Sequence, residues 1–314
     1  MERALARWIM SVPTAAIDDL FSGFATSIPR ARGVQPLHEL GAYEALWAAE
    51  RASFKSLARL FREHPGALPS DLVPRLVAER HARMALELAS RADIGPFDVC
   101  VQGMPAYPAR LRDAAHPVEL LYFQGDWQVL AGRCVTVVGT RRPSQGGERR
   151  AQRVARRLAR AGFTVLSGLA HGIDTAAHTA AMAAGGLTAA VIGTPLTVCY
   201  PPSNAALQRR IAREFLLLSQ VPMVRYSRQT VDGNRPFFPE RNATLAALAQ
   251  ATVIIEAGDT SGTLIEARHA LQQGRRVLIL DDCFRDPALT WPQRLLARGA
   301  LRVQEADIEA HVVA

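Results

Sequence analysis

The sequence predicts an α/β fold: a doubly wound, mostly parallel, Rossmann-like sheet with an N-terminal helical region. Three observations predict it. Short apolar segments rich in valine, isoleucine and leucine alternate with helical segments from residue 134 to about residue 280. Their apolar residues are consecutive rather than alternating, which marks strands covered on both faces. Four of the strands give way to glycine or a hydroxyl residue, and right-handed crossovers between parallel strands wind such a sheet in both directions.

The elements follow in order. Residues 1–95 read as helical, with Leu46, Phe54, Leu57 and Phe61 at helical spacing in YEALWAAERASFKSLARLF. HPGALPSD interrupts that pattern, and LVPRLVAERHARMALELASR resumes it. Residues 96–133 read as short strands and turns. Strand CVTVV then ends at Gly139, and a helix over 148–161 stops at Gly162. Strand FTVL ends at Ser167-Gly168, and a helix over 174–184 stops at Gly185-Gly186. Strand LTAAVI ends at Gly193, and Ser203 is placed to cap the helix that precedes strand FLLLS. A long irregular loop is expected over 220–240, a length that usually marks function or mobility. Helix RNATLAALAQ, strand TVIIEA, helix SGTLIEARHALQQ, Gly274 and strand RRVLIL complete the pattern. The expected division is a helical region over 1–95 and an α/β domain over 96–314, with its core at 134–281.

Composition narrows the partners. The 314 residues are 49% hydrophobic and 21% charged, enough to bury a sizeable core. The formal net charge is +8, and Lys55 is the one lysine, so arginine supplies nearly all the positive charge. Arginine grips phosphate bidentately, although a GC-rich genome produces the same bias; the net charge favours an anionic partner. Cys100, Cys134, Cys199 and Cys283 show no metal-ligand spacing and are too sparse for a disulfide scaffold. The expectation is a cytoplasmic protein with no metal. The N-terminal stretch carries acids and lacks a continuous apolar run, unlike a signal peptide, and no apolar run is of membrane-spanning length.

The candidate site lies after the strands. Gly139-Thr140-Arg141-Arg142, Ser167-Gly168, Gly193-Thr194, and Gly258 with Ser261-Gly262-Thr263 all fall at one carboxyl edge, where open parallel sheets bind ligands. Glycine allows close approach of a ligand, N–H groups at helix starts attract phosphate, and the arginines add charge. GTRRPSQGG lacks the G-x-G-x-x-G spacing and no GK[ST] occurs, so a dinucleotide or ATP cofactor is not expected.

These motifs resemble those of the DNA-processing protein A (DprA/Smf) family. VTVVGTRRPSQGG is similar to its G-[ST]-R loop. SGLAHGIDTAAHTAAMAAGGLTAAVIG resembles its SGxAxGID-x-x-AH block. YPPSN, FPERN and SGTLIEARHALQQGRRVLIL follow in family order, and AYPARL and PVELLYFQGD precede them. The likeness spans residues 105–281. It implies a basic pocket that binds single-stranded DNA, assistance to a RecA-type recombinase during natural transformation, and a homodimer. Carried over by residue, Gly139 and Thr140 shape the first loop and Arg141 meets a phosphate, with Arg142 beside it. Ser167 and Gly168 begin the second loop, where His171 is a candidate contact. Arg241 and Asn242 form the FPxRN pair, and Ser261, Gly262 and Thr263 open the last helix. Asp174 is expected to cap its helix, and His178 to pack or hydrogen-bond rather than to ligate or catalyse.

The chain also departs from the family. Ala243 stands where a second arginine is usual, and Gln220 replaces a glutamate. Asp281-Asp282 follow the last strand, where acids facing the pocket would repel phosphate. Residues 1–95 show no visible match to the family's small N-terminal domain, and no room remains for its C-terminal winged helix. GT-x-x-E, ending at Glu266, resembles the related LONELY GUY phosphoribohydrolases. That likeness implies an alternative in which Glu266 and Arg241 act on a nucleoside monophosphate. A nucleotide sensor with the helical region as its output is the third reading.

Overall fold

In the computed structural model of the chain, residues 34–114 and 117–313 are described. The readings of residues 1–33 lie outside them. Nine strands among the described residues form one sheet: β1 (Asp98–Val101), β2 (Leu120–Gly125), β3 (Arg133–Val138), β4 (Phe163–Ser167), β5 (Thr188–Ile192), β6 (Leu216–Ser219), β7 (Ala251–Ile254), β8 (Arg276–Leu280) and β9 (Leu301–Val303). Their order is β1-β2-β6-β5-β4-β3-β7-β8-β9. The seven from β6 to β9 are parallel neighbours, while β1 and β2 add to the β6 edge antiparallel. From β3 the chain winds one way through β4, β5 and β6, then returns to β3's other side and continues as β7, β8 and β9. The winding reverses between β3 and β7, so their carboxyl ends frame a crevice.

Alternation within each inner strand covers both faces. Val135 and Val137 join Val165, Val253, Ile255, Leu278 and Leu280 in one core cluster. Val138, Leu166, Ile254, Val277 and Ile279 join the other. The first cluster is roofed by α5 (Gln145–Arg160) and α6 (Ile173–Ala183). The second is roofed by α10 (Phe237–Leu248), α11 (Thr263–Gln272) and the N-terminal helices α1 (Pro36–Trp47), α2 (Phe54–Glu63) and α3 (Arg75–Arg91). Each fully buried valine, leucine or isoleucine contributes about 1.5–3 kcal/mol, so this two-sided burial is the main source of stability. No helix among the described residues is long and apolar enough to cross a membrane.

Several local expectations are corrected. The helix read as continuous across residues 43–61 is two, because Ser53 and Ser56 form a reciprocal capping box that starts α2. Helix α5 begins at Gln145 rather than 148, since Ser144 caps it by accepting from Gly147 N–H at 2.9 Å. Ser203 caps no helix: α7 (Ala205–Glu214) has Asn204 at its N-cap. The expected loop over 220–240 contains α8 (Met223–Arg228) and α9 (Val231–Asn234), and α10 starts inside it at Phe237. A partner distant in sequence orders that stretch. Glu44, buried on α1, accepts from Met223 N–H at 2.7 Å and Val224 N–H at 3.1 Å, satisfying the first donors of α8. It also accepts from Tyr122 Oη at 2.7 Å, tying α1 to β2. Trp47, Phe54, Tyr226 and Phe237 pack edge-on and tilted around the same junction.

Candidate functional site: a cleft at the β3–β7 switch point

A cleft of about 470 Å³ opens over the carboxyl ends of β3 and β7. Gly139, Thr140, Arg141, Arg142, Asp174, Phe238, Arg241, Asn242, the 260–263 turn and Glu266 all line it. Of the sequence-predicted residues, Ser167, Gly168 and His171 lie beside this lining rather than in it.

The first loop is held from beneath. Ser144 N–H and Oγ–H donate to the Glu256 carboxylate at 2.8 and 2.7 Å, and Thr140 N–H donates to Glu256 O at 2.7 Å. Glu256, just past β7, is a site residue that sequence reading missed; its cue is an acid directly after an apolar strand facing the loop of another. With the loop pinned, Arg141 and Arg142 are exposed and neither makes an ion pair among the described residues. They are the free cations at this edge of the cleft.

The second loop is strained and over-determined. Leu169 is buried with φ +59°, a left-handed conformation costly for leucine. Asn204 Nδ2 donates to Leu169 O at 2.9 Å, and the Asp174 carboxylate accepts from Gly168 N–H at 3.1 Å and Ala170 N–H at 3.2 Å. Asp174 therefore holds the loop before its helix rather than capping the helix in the usual way. Gly172, at φ +77°, lets the chain turn against Thr140 O, where a Cβ would lie 2.6 Å away. His171 Nε2 stands 3.1 Å from Ser203 Oγ at the rim.

Arg241 comes to the site from α10, but it points inward. It is only 6% exposed, and its Nη1 donates to Gly168 O and Val191 O at 2.6 Å each. The side chain thus clamps the ends of β4 and β5 and fills the space where a Gly168 Cβ would sit, 2.0 Å from Nη1. Its Nε donates to Asn242 Oδ1 at 3.0 Å, and Asn242 Nδ2 donates to Gly262 O at 3.4 Å. Arg241, expected among the phosphate-binding residues, thus has its Nη1 committed to the protein's own carbonyls. Burial presses its pKa down, while Asp174 supports the charged form.

The remaining groups fall into place around it. Thr263 Oγ–H donates to Gly139 O at 3.0 Å, and Ser261 Oγ accepts from Thr263 N–H at 3.3 Å, linking the last turn to the first loop. His178 is fully buried, and its Nδ1 lies 2.7 Å from Thr188 Oγ1. That hydroxyl donates to Val165 O, so it accepts from Nδ1–H, and burial with no partner on Nε2 keeps the ring neutral. Burial pushes the His178 pKa down to about 3, with Arg241 adding to the effect. His178 is a packing and hydrogen-bonding residue, as expected. Asp281 pairs with Arg302, and Asp282 with Arg150 and Arg285, so neither faces the cleft as a free charge. Gln220 lies in the core, where it accepts from Thr244 through its side chain and from Tyr43 through its carbonyl. Ala243 is not among the residues that line the cleft. Sequence reading also missed the aromatic pair in which Phe238, on the cleft lining, packs edge-on against Tyr200 with centroids 5.5 Å apart, Tyr200 remaining 48% exposed.

A family model described as DNA recombination-mediator protein A matches residues 98–312, more than half of the chain. The chain belongs to this family. It is 39% identical over 183 residues to Protein Smf of Synechocystis, covering 56% of this chain and 44% of the relative. It is 32% identical over 202 residues to DNA processing protein DprA of Bacillus subtilis, covering 64% and 66%. The chain thus spans about half to two thirds of the length of these curated relatives. The crystal structure of DprA from Streptococcus pneumoniae superposes with a TM-score of 0.63 at 26% identity, covering 95% of this chain and 96% of that one. That coverage takes the DprA fold into the N-terminal helices, where no motif likeness was visible. DprA from Helicobacter pylori, described for its single-stranded DNA binding mode, superposes at 0.59 with 24% identity over 69% of this chain and shares the fold.

Proposed function

We propose that this DprA-family chain binds single-stranded DNA across the β3–β7 cleft and acts in DNA processing, in natural transformation and recombination. The observation that carries the reading is the pinned first loop, which presents Arg141 and Arg142 unpaired at the switch-point crevice. Phosphates of a strand meet those guanidiniums and the surrounding loop groups. Neutralising them releases counterions and makes affinity salt-dependent. Phe238 on the cleft lining and Tyr200 packed against it offer aromatic surface, and stacking contributes about 1–3 kcal/mol per base without sequence preference. The H. pylori relative, described as a single-strand binder, supports the same assignment for the shared fold. Family membership extends the proposal to protection of the strand, assistance to a RecA-type recombinase, a homodimeric state and a cytoplasmic setting.

One observation favours a second reading, in which the ligand is a nucleoside monophosphate. Glu266 and Arg241 lie together in a cleft of roughly one nucleotide's size. Exonuclease digestion of end-labelled poly-dT separates the two. Protection that long strands compete away and dTMP does not supports the strand reading. Equal competition by dTMP, or release of free base from it, overturns that reading in favour of the mononucleotide.

A further inference from the structure

Two buried carboxyl groups, Asp174 and Glu266, and one buried guanidinium, Arg241, act on one another electrostatically at the floor of the cleft, where they are 5%, 3% and 6% exposed. Arg241 Nη1 is committed to the carbonyls of Gly168 and Val191. Burial raises the Asp174 pKa, opposed by the Arg241 charge and by two backbone N–H bonds that favour its charged form. Glu266 has no such support: its Oε1 is buried without a hydrogen-bond partner. A low-dielectric floor disfavours two carboxylate charges against one cation, and Glu266 is the acid without donors, so the proton belongs on Glu266. A neutral carboxylic acid is a hydrogen-bond donor, and it adds no negative charge to a cleft whose rim is cationic.

We propose that Glu266 is a ligand-contacting residue of this cleft, donating a hydrogen bond from its carboxylic acid to the bound strand. The proposal rests on the strand-binding reading above and adds a partner inside the cleft to the arginines at its rim. The charged groups acting on Glu266 are Arg241 from α10 and Asp174 from α6. Arg141, on the loop after β3, acts on Arg241 in turn. Further along the same wall, Arg294 of α12 (Trp291–Leu296) is committed to Asp259. Burial raises the Glu266 pKa to about 8, with Arg241 opposing and Asp174 reinforcing the rise. Below that pH the acid donates; above it, ionisation removes the donor and places a negative charge against the strand.

The test is binding of labelled poly-dT at fixed ionic strength from pH 6.5 to 9, for wild type and Glu266→Gln, whose amide donates at every pH. The expected result is a loss of affinity of about tenfold as pH rises through the Glu266 transition in wild type, and a flat profile in E266Q. Buried carboxyls outside the cleft are shared by both proteins and cancel in the comparison. A second measurement needs no variant: calorimetric titration of wild type near pH 8 in buffers of different ionisation enthalpy, which is expected to show proton uptake on binding. A pH-independent wild type, an equal slope in E266Q, a pH-independent loss of binding in E266Q, or no proton uptake each overturns the role of Glu266. Absence of poly-dT binding already at pH 6.5 instead sinks the strand reading.

Discussion

Arg241 and Arg141 carry the same charge and serve opposite ends of the site. Arg241 is walled in and clamps two strand ends, so replacing it with methionine leaves two buried carbonyls without their donor and removes a positive charge that acts on Asp174. Leaving a buried acceptor unsatisfied costs about 1–3 kcal/mol, and with two carbonyls orphaned denaturant unfolding of Arg241→Met is expected to show a loss of a few kcal/mol. Gly168→Ala belongs with it, because the added methyl meets the guanidinium at 2.0 Å. Its expected cost is about 1–3 kcal/mol in the same assay, accompanied by weakened strand binding. Arg141→Ala is the contrast. The side chain is exposed and unpaired, so thermal stability is expected to remain within about 0.5 kcal/mol of wild type while binding weakens. Equal destabilisation by Arg141→Ala and Arg241→Met contradicts this division.

Among the elements, the junction of α1, β2 and α8 shows why part of the fold was hidden from sequence reading. Strands β3 to β8 were legible because consecutive valines and isoleucines bounded by glycine admit few other conformations. The short helix α8 was not, because its first donors are satisfied by Glu44, 179 residues before Met223 in sequence. The cleft was legible for a related reason: glycines and hydroxyls recur after the strands in sequence, and those following β3 and β7 line it. Glu256 and the inward turn of Arg241 were not, since both depend on which loops the sheet order brings together. Glu44→Ala strands three buried donors and is expected to cost about 3 kcal/mol or more by urea denaturation. The junction also has a pH signature. Burial raises the pKa of Glu44 to about 7 and that of Glu119 to about 8, from an ordinary 4.5. The folded chain then binds more protons than the unfolded chain between those values. The stability these acids retain is full below about pH 4.5 and is lost as pH rises through 7 to 8. Glu44→Gln is expected to flatten the urea-midpoint profile over that range, and an unchanged slope contradicts the assignment.

For the whole molecule, the sheet order places a fixed cationic loop over a cleft whose interior charges are balanced among themselves. Association with a polyanion then depends on the rim rather than the floor for its electrostatic component. The most direct measurement is fluorescence anisotropy of labelled poly-dT of increasing length across a salt series, for wild type and Arg141→Ala. The expected result is affinity that rises with strand length and falls steeply with salt, with the slope of log affinity against log salt reduced by about 0.7 in the variant, the share of one phosphate contact on a single strand. Affinity that is flat in length and salt, or an Arg141→Ala protein that binds as wild type does, contradicts the assignment of this cleft to single-stranded DNA.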